Sequence, residues 1–168
     1  MITDYHSKYL ASDLVRRRSS DSSDKLAVAV AGAQVDMNPH QVDAALFAFA
    51  SPLSKGALLA DEVGLGKTIE AGLVISQRWA EGKRRVLIIA PSNLRKQWYQ
   101  EMNEKFFIPC SIIESKSYNA AIKAGDFRPF DLNDSVVICS YQFARNKAAD
   151  VHSTPWDLVV IDEAQRLP

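Results

Sequence analysis

Two cysteines are all that this chain of 168 residues carries, and both lie inside apolar runs, FFIPCSII around Cys110 and SVVICSY around Cys139. That setting favours buried, reduced thiols and offers no metal-ligand spacing, which points to a reducing, cytoplasmic compartment. Long apolar stretches are missing too. No uninterrupted run approaches the ~20 residues that cross a bilayer, and the first residues hold no apolar signal core, so membrane insertion is not expected. There is no excess charge of either sign, because 20 Lys and Arg balance 20 Asp and Glu. No global basic field announces nucleic acid, and any such contact has to come from a local patch. No internal repeat is visible. What remains is 47% hydrophobic and 24% charged, ordinary for a globular chain long enough for one α/β domain and too short for two of usual size.

The most informative stretch runs from Leu58 to Thr68, LLADEVGLGKT. It reads as a short strand over Ala57 to Ala60, a glycine-containing loop and the first turn of a helix over Lys67 to Ala80. In the loop of Asp61, Glu62, Val63, Gly64, Leu65 and Gly66, the two glycines permit backbone conformations that side chains block. Amide N–H groups there can approach phosphate oxygens, and the following helix N-terminus favours negative charge. Lys67 can then reach β- and γ-phosphates and the Thr68 hydroxyl can coordinate magnesium. The pattern departs from GxxxxGK[ST] at Asp61, which stands where the first glycine belongs.

Upstream, Met1 to Asp24 is polar, with an arginine triplet at Arg16 to Arg18 followed by SSDSSD. Short helices are expected over Tyr5 to Arg17 and Lys25 to Ala33. Asn38 can cap a helix that begins at Pro39, with Val42, Ala45, Leu46 and Phe49 on one face. Gln41 stands where its amide can fold back on the cap, with Met37 and Val42 as a hydrophobic staple. The same amide, both donor and acceptor, also suits the edge of adenine.

Downstream of the loop the chain alternates strand and helix signals, as a parallel sheet does. Strands are expected over Arg85 to Ala90, Cys110 to Ile113, Val136 to Cys139 and Leu158 to Ile161. The helix after the loop sets Ile69, Gly72, Leu73 and Ser76 on one face, with Gly72 allowing close approach to the sheet. Ser92 or Asn93 can cap a helix whose Leu94, Trp98, Met102 and Phe106 follow at four-residue steps. Further helices are expected over Lys116 to Ala124, closed by Gly125, and over Tyr141 to Ala149. The last strand ends in two carboxylates, Asp162 and Glu163. Phosphoryl transfer needs a metal holder and a group that positions the attacking water, and adjacent acids at the carboxyl edge of a parallel sheet can divide those roles. The first would hold magnesium and the second would orient or deprotonate the water.

Taken together, DEVGLGKT at Asp61 to Thr68, PSNLRKQW at Pro91 to Trp98, CSYQF at Cys139 to Phe143 and DEAQ at Asp162 to Gln165 resemble motifs I, Ia, Ib and II of superfamily-two helicase-like ATPases. The loop form is that of the Swi/Snf-related branch, in which an aspartate at the Asp61 position is usual. NPHQ at Asn38 to Gln41 is similar to the branch's glutamine motif. The tract from Met37 to Gln77 is especially similar to bacterial members, including those of DISARM-type phage defence and relatives that recycle RNA polymerase.

The resemblance implies an α/β fold: a three-layer, parallel-sheet, RecA-like P-loop NTPase lobe over residues 35–168, preceded by a helical or flexible arm over 1–34. It implies ATP and Mg²⁺ as cofactors. The adenine would meet Gln41, the phosphates would meet the loop from Asp61 to Gly66 together with Lys67 and Thr68, and Lys67, Asp162 and Glu163 would carry catalysis, with Thr68 and Asp162 on the metal. Ser92, Asn93, Gln97, Ser140 and Tyr141 would contact a nucleic-acid backbone, expected to be double-stranded DNA. Gln165 stands where histidine is usual, so the group expected to couple ATP to nucleic acid cannot become a cation. The second RecA-like lobe and its transition-state arginine would follow Pro168. The expectation for this chain by itself is nucleotide binding with poor hydrolysis and no translocation. The alternative is a nucleotide-binding regulatory or interaction module that docks to protein partners without motor activity.

Overall fold

Strand sequences such as VLIIA and VVICS are apolar on both faces because both faces of this sheet are covered. The computed structural model describes residues 38–50, 56–59 and 66–166. The strands are β1 (Val86–Ala90), β2 (Cys110–Ile112), β3 (Val136–Ser140) and β4 (Leu158–Ile161), all parallel in the order β2-β3-β1-β4. The helices are α1 (Pro39–Ala50), α2 (Lys67–Ala80), α3 (Arg95–Lys105), α4 (Ser115–Lys123), α5 (Tyr141–Asn146) and α6 (Ala148–Ser153), with a closing 3-10 turn at Ala164–Arg166.

Alternation along each strand divides the core into two layers. Val86, Ile88 and Ala90, with Val136 and Ile138, pack into one cluster with Ile69, Leu73 and Ile75 of α2 and Trp98 and Met102 of α3. Leu87, Val137 and Cys139 pack on the opposite side with Tyr118 of α4, Phe130, and Phe143 of α5. Helix, sheet, helix is the three-layer arrangement expected, with the parallel sheet at its centre. The register Ala90↔Ser140 and Ile89↔Ile161 brings the carboxyl ends of β1, β3 and β4 to one edge.

Most element readings hold within a residue or two. Trp98, Met102 and Phe106 are buried on one side of α3, and Leu94 packs against the same cluster. Gly125, at φ 92, ends α4 as expected, and the Asp126 N–H closes the last turn on the Ala121 carbonyl at 3.0 Å. Both cysteines are free thiols, Cys139 fully buried and Cys110 partly so.

Four readings are corrected. Residues 56–59 form no strand, and the described sheet has four strands without them; Leu58 is 75% exposed while Leu59 packs on the core. An apolar run becomes a strand only beside a partner that satisfies its backbone, and among the described residues none pairs with this one. The expected helix over Tyr141 to Ala149 is two helices, broken at Lys147 (φ −115, ψ 29), whose ammonium lies 4.1 Å from the centre of the Tyr118 ring. Neither Ser92 nor Asn93 caps α3: residues 92–94 make a turn in which the Leu94 N–H donates to Pro91, and Leu94 holds the cap position with no side-chain bond. The close approach that Gly72 makes is to Phe106, where an added Cβ would lie 2.3 Å from the ring. The expected helices before residue 34, the staple residue Met37, the side chain of Phe49 and the loop residues 61–65 lie outside the described residues.

Candidate functional site

Asp162 follows the last residue of β4, and its backbone N–H extends the sheet ladder by donating to the Ile89 carbonyl at 2.9 Å. Its own carbonyl accepts from the Tyr141 hydroxyl. One carboxylate oxygen, Oδ2, accepts from the indole Nε1–H of Trp98 at 2.8 Å, while Oδ1 accepts no hydrogen bond among the described residues. The chain then turns sharply. Glu163 sits at φ 53, a left-handed conformation that costs a non-glycine residue roughly 1–2 kcal/mol. The Gln165 amide donates to Glu163 Oε2, so the three expected residues Asp162, Glu163 and Gln165 share one tight turn at the carboxyl edge of the sheet.

The segments expected to meet nucleic acid converge on the same edge. Ser140 ends β3 and is buried, and its hydroxyl oxygen caps α5 by accepting from the Phe143 N–H at 3.2 Å. Ser92 follows β1 and Pro91, and its hydroxyl donates to Gln142 Oε1 at 3.4 Å, which ties the two segments together. Gln97 is exposed along α3 and donates to Glu101 at 2.8 Å, one turn on; Asn93 is exposed. A cleft of about 410 Å³ opens beside them, lined by Arg95, Lys116, Ser140, Gln142, Phe143 and Asn146. Arg95 is paired with Glu114 at 3.4 Å across it.

Lys67 and Thr68 are the first residues of α2, which is 14 residues long. Gly66 precedes them at φ 91, a conformation that favours glycine. A Cβ at Gly66 would come within 2.3 Å of Gln41 Nε2, so the glutamine lies directly against the end of the loop. Its amide oxygen accepts from the Asn38 N–H at 3.2 Å, the folded-back cap expected from the sequence, and the residue is 5% exposed. One side chain therefore ties the start of α1 to the start of α2.

These residues fit a nucleotide with magnesium. An ammonium and a hydroxyl open a helix behind a glycine that leaves no space for a side chain, and Asp162 keeps one hard oxygen uncommitted, as a magnesium ligand or its bound water requires. The cysteines take no part. Burial pushes both thiols up to about 12, so neither is a thiolate near neutral pH. Among the described residues no group of His, Cys, Asp and Glu forms a metal cluster, and no helix is long and apolar enough to cross a membrane.

Comparison with known proteins decides the family. A model of the SNF2-related domain matches residues 10–168. The chain belongs to the SNF2-related family. Among SNF2-related proteins, the RNA polymerase-associated protein RapA of Pectobacterium atrosepticum is 40% identical over 140 residues, which is 81% of this chain and 14% of that protein. RapA of Yersinia pseudotuberculosis is 39% identical over 140 residues. The chain thus spans about 14% of the length of these relatives. Among solved structures, the Sulfolobus solfataricus SWI2/SNF2 ATPase core in complex with dsDNA matches with a TM-score of 0.67 over 80% of this chain and 27% of that one, at 23% identity. That likeness establishes that this SNF2-related chain shares the fold of part of that ATPase core.

Within the SNF2-related lobe, sequence reasoning missed Trp98 as a site residue, because its four-residue spacing reads as core. The available signal was chemical: a buried indole N–H is a donor that needs an acceptor. It also missed the Tyr141 hydroxyl as a ligand of the acidic turn, having placed Tyr141 on the nucleic-acid side only.

Proposed function

We propose that this chain is the ATP-binding lobe of a nucleic-acid-dependent ATPase, a cytoplasmic translocase that hydrolyses ATP to move on double-stranded DNA when joined to a second RecA-like lobe. The lobe would span residues 35–168 and the arm 1–34. The observation that carries the reading is Asp162 at the carboxyl edge of β4, with Oδ2 held by Trp98 and Oδ1 left for a cation. Open parallel sheets bind ligands at that edge.

In this reading Gln41 meets adenine, and the backbone amides of Asp61, Glu62, Val63, Gly64, Leu65 and Gly66 cradle the phosphates. Lys67 draws charge from the β- and γ-oxygens. Thr68 and Asp162 hold magnesium, which when bound neutralises charge that develops on the transferred phosphoryl group. Glu163 orients the attacking water and accepts its proton, and Gln165, donating to Glu163, relays whether a partner lobe has closed. Ser92, Asn93, Gln97, Ser140 and Tyr141 take the phosphodiester backbone without reading sequence. The partner lobe supplies the arginine that stabilises transition-state charge, worth ~10³–10⁵ in rate in related systems. The lobe alone is therefore expected to bind nucleotide and turn it over slowly. The similarity to RapA supports RNA polymerase as a protein partner of the whole molecule.

The test is binding of a non-hydrolysable ATP analogue to the wild type and to Lys67→Ala, with and without duplex DNA. The wild type should bind and Lys67→Ala should bind at least about tenfold more weakly, since the ammonium contact with phosphate is charge-assisted. Equal affinities would refute the reading, and an unchanged response to DNA would remove the track from it.

A further inference from the structure

A fully apolar core position does not need tryptophan. Trp98 is 3% exposed and packs in the cluster with Met102 and Phe106, surroundings that ask only for apolar bulk. What only the indole adds is a donor, and it is spent on the carboxylate of Asp162, 64 residues away. A neutral donor on an ionised acceptor makes a charge-assisted bond that also fixes the side-chain rotamer. The indole can only donate, so the bond engages Oδ2, while Oδ1 accepts no hydrogen bond among the described residues.

The position of Trp98 gives this bond a second meaning. It lies one residue after Gln97, in the segment Pro91 to Trp98, and Tyr141 opens α5 in the other segment. Both segments reach the acidic turn, Trp98 through the Asp162 carboxylate and Tyr141 through the Asp162 carbonyl, and Ser92 joins Gln142 between them. The three segments form a closed hydrogen-bonded ring at the carboxyl edge of the sheet.

We infer that Trp98 is a positioning residue: its indole N–H holds Asp162 in the rotamer that presents Oδ1 to magnesium, and so links the nucleic-acid segment to the metal-holding carboxylate. The inference rests on the nucleotide reading above. A residue that orients a metal ligand from behind sets metal affinity, commonly by ~10–100-fold, without setting the affinity of the metal-free ligand.

The experiment uses the wild-type chain and Trp98→Phe, which keeps an aromatic ring and removes the donor. Affinity for a fluorescent ATP analogue is measured with magnesium and with EDTA, alongside the urea midpoint. The wild type should gain affinity with magnesium. Trp98→Phe should keep the EDTA affinity within about twofold and lose about tenfold of the magnesium-dependent gain. A purely packing role would lower the midpoint and leave the gain intact, and a folded Trp98→Phe with the full gain would overturn the inference. A second readout does not depend on that variant folding: among the three indole N–H signals in ¹H–¹⁵N spectra, the one from Trp98 should move in Asp162→Asn and on adding magnesium to the analogue-bound wild type. A Trp98 signal indifferent to both would also overturn it. Wild type that binds no analogue under any condition would overturn the nucleotide reading and this inference together, an outcome distinct from wild type and Trp98→Phe sharing one magnesium gain.

Discussion

Asp131 and Asp157 at the amino edge of the sheet and Asp162 at its carboxyl edge are held on opposite electrostatic plans. At the amino edge, charges close on one another: Arg85 pairs with Asp131 at 2.7 Å, Arg128 adds to Asp131 at 3.5 Å, and Lys83 reaches Asp157 at 3.7 Å. Asp157 also accepts the Arg85 backbone N–H at 3.1 Å. The Arg85 guanidinium holds the Asp131 carboxyl below the usual carboxylate range, and Asp131 in turn raises Arg85. At the carboxyl edge Asp162 meets no cation among the described residues; an indole and a phenol hold it instead. An edge that satisfies its carboxylates with cations is finished as a structure. One that positions a carboxylate with neutral donors keeps its charge for something that is not part of the chain.

The comparison makes predictions that separate the edges, and the largest concerns the core behind the amino edge. Phe130 adjoins Asp131, is 1% exposed and lies 6.0 Å from both Tyr118 and Phe143, ring centre to ring centre. Phe130→Ala should cost about 3–5 kcal/mol in urea denaturation and leave the nucleotide affinity of the folded protein unchanged. A loss of affinity at intact stability would break the division between edges.

Gly66→Ala should cost less, about 1–2 kcal/mol for the left-handed backbone, with a further cost from displacing Gln41. It is the substitution expected to lower both stability and nucleotide affinity, because Gly66 belongs to the fold and to the loop. A melt and an analogue titration on the same sample check it.

The smallest effect is that of acid on the amino edge. The folded pKa of Asp131 is lowered, so the stability it contributes is present in full above the usual carboxylate range and is lost as pH falls through the lowered value. Asp131→Asn should therefore reduce stability at neutral pH slightly and flatten its decline below about pH 4. Nucleotide affinity at neutral pH should not move; a change would mean that the two edges communicate.

Much of this arrangement was legible in the sequence, because much of it is local. The four strands, the buried side of α3 and the glycine stop after α4 follow from apolar spacing and one left-handed residue. So does the folded-back cap of Gln41, which the Asn38 N–H completes. The break at Lys147 was not legible, since it answers to Tyr118 and Asp150, which are bonded to each other at 2.5 Å from different elements. The strand expected at Ala57 failed for the same reason: strand formation depends on a neighbour. Of the site, the identities of Asp162 and Glu163 and their place after a strand could be read. The indole behind Asp162 could not, because hydrophobic spacing counts Trp98 as apolar and is blind to its one polar atom.

The most direct measurement is the magnesium dependence of ATP-analogue binding in the wild type and in Asp162→Asn, with folding stability followed in parallel. Magnesium should strengthen binding to the wild type, Asp162→Asn should lose at least about tenfold of that gain, and its melting temperature should stay near the wild type's. An equal magnesium gain in both proteins would contradict the metal-holding role of Asp162.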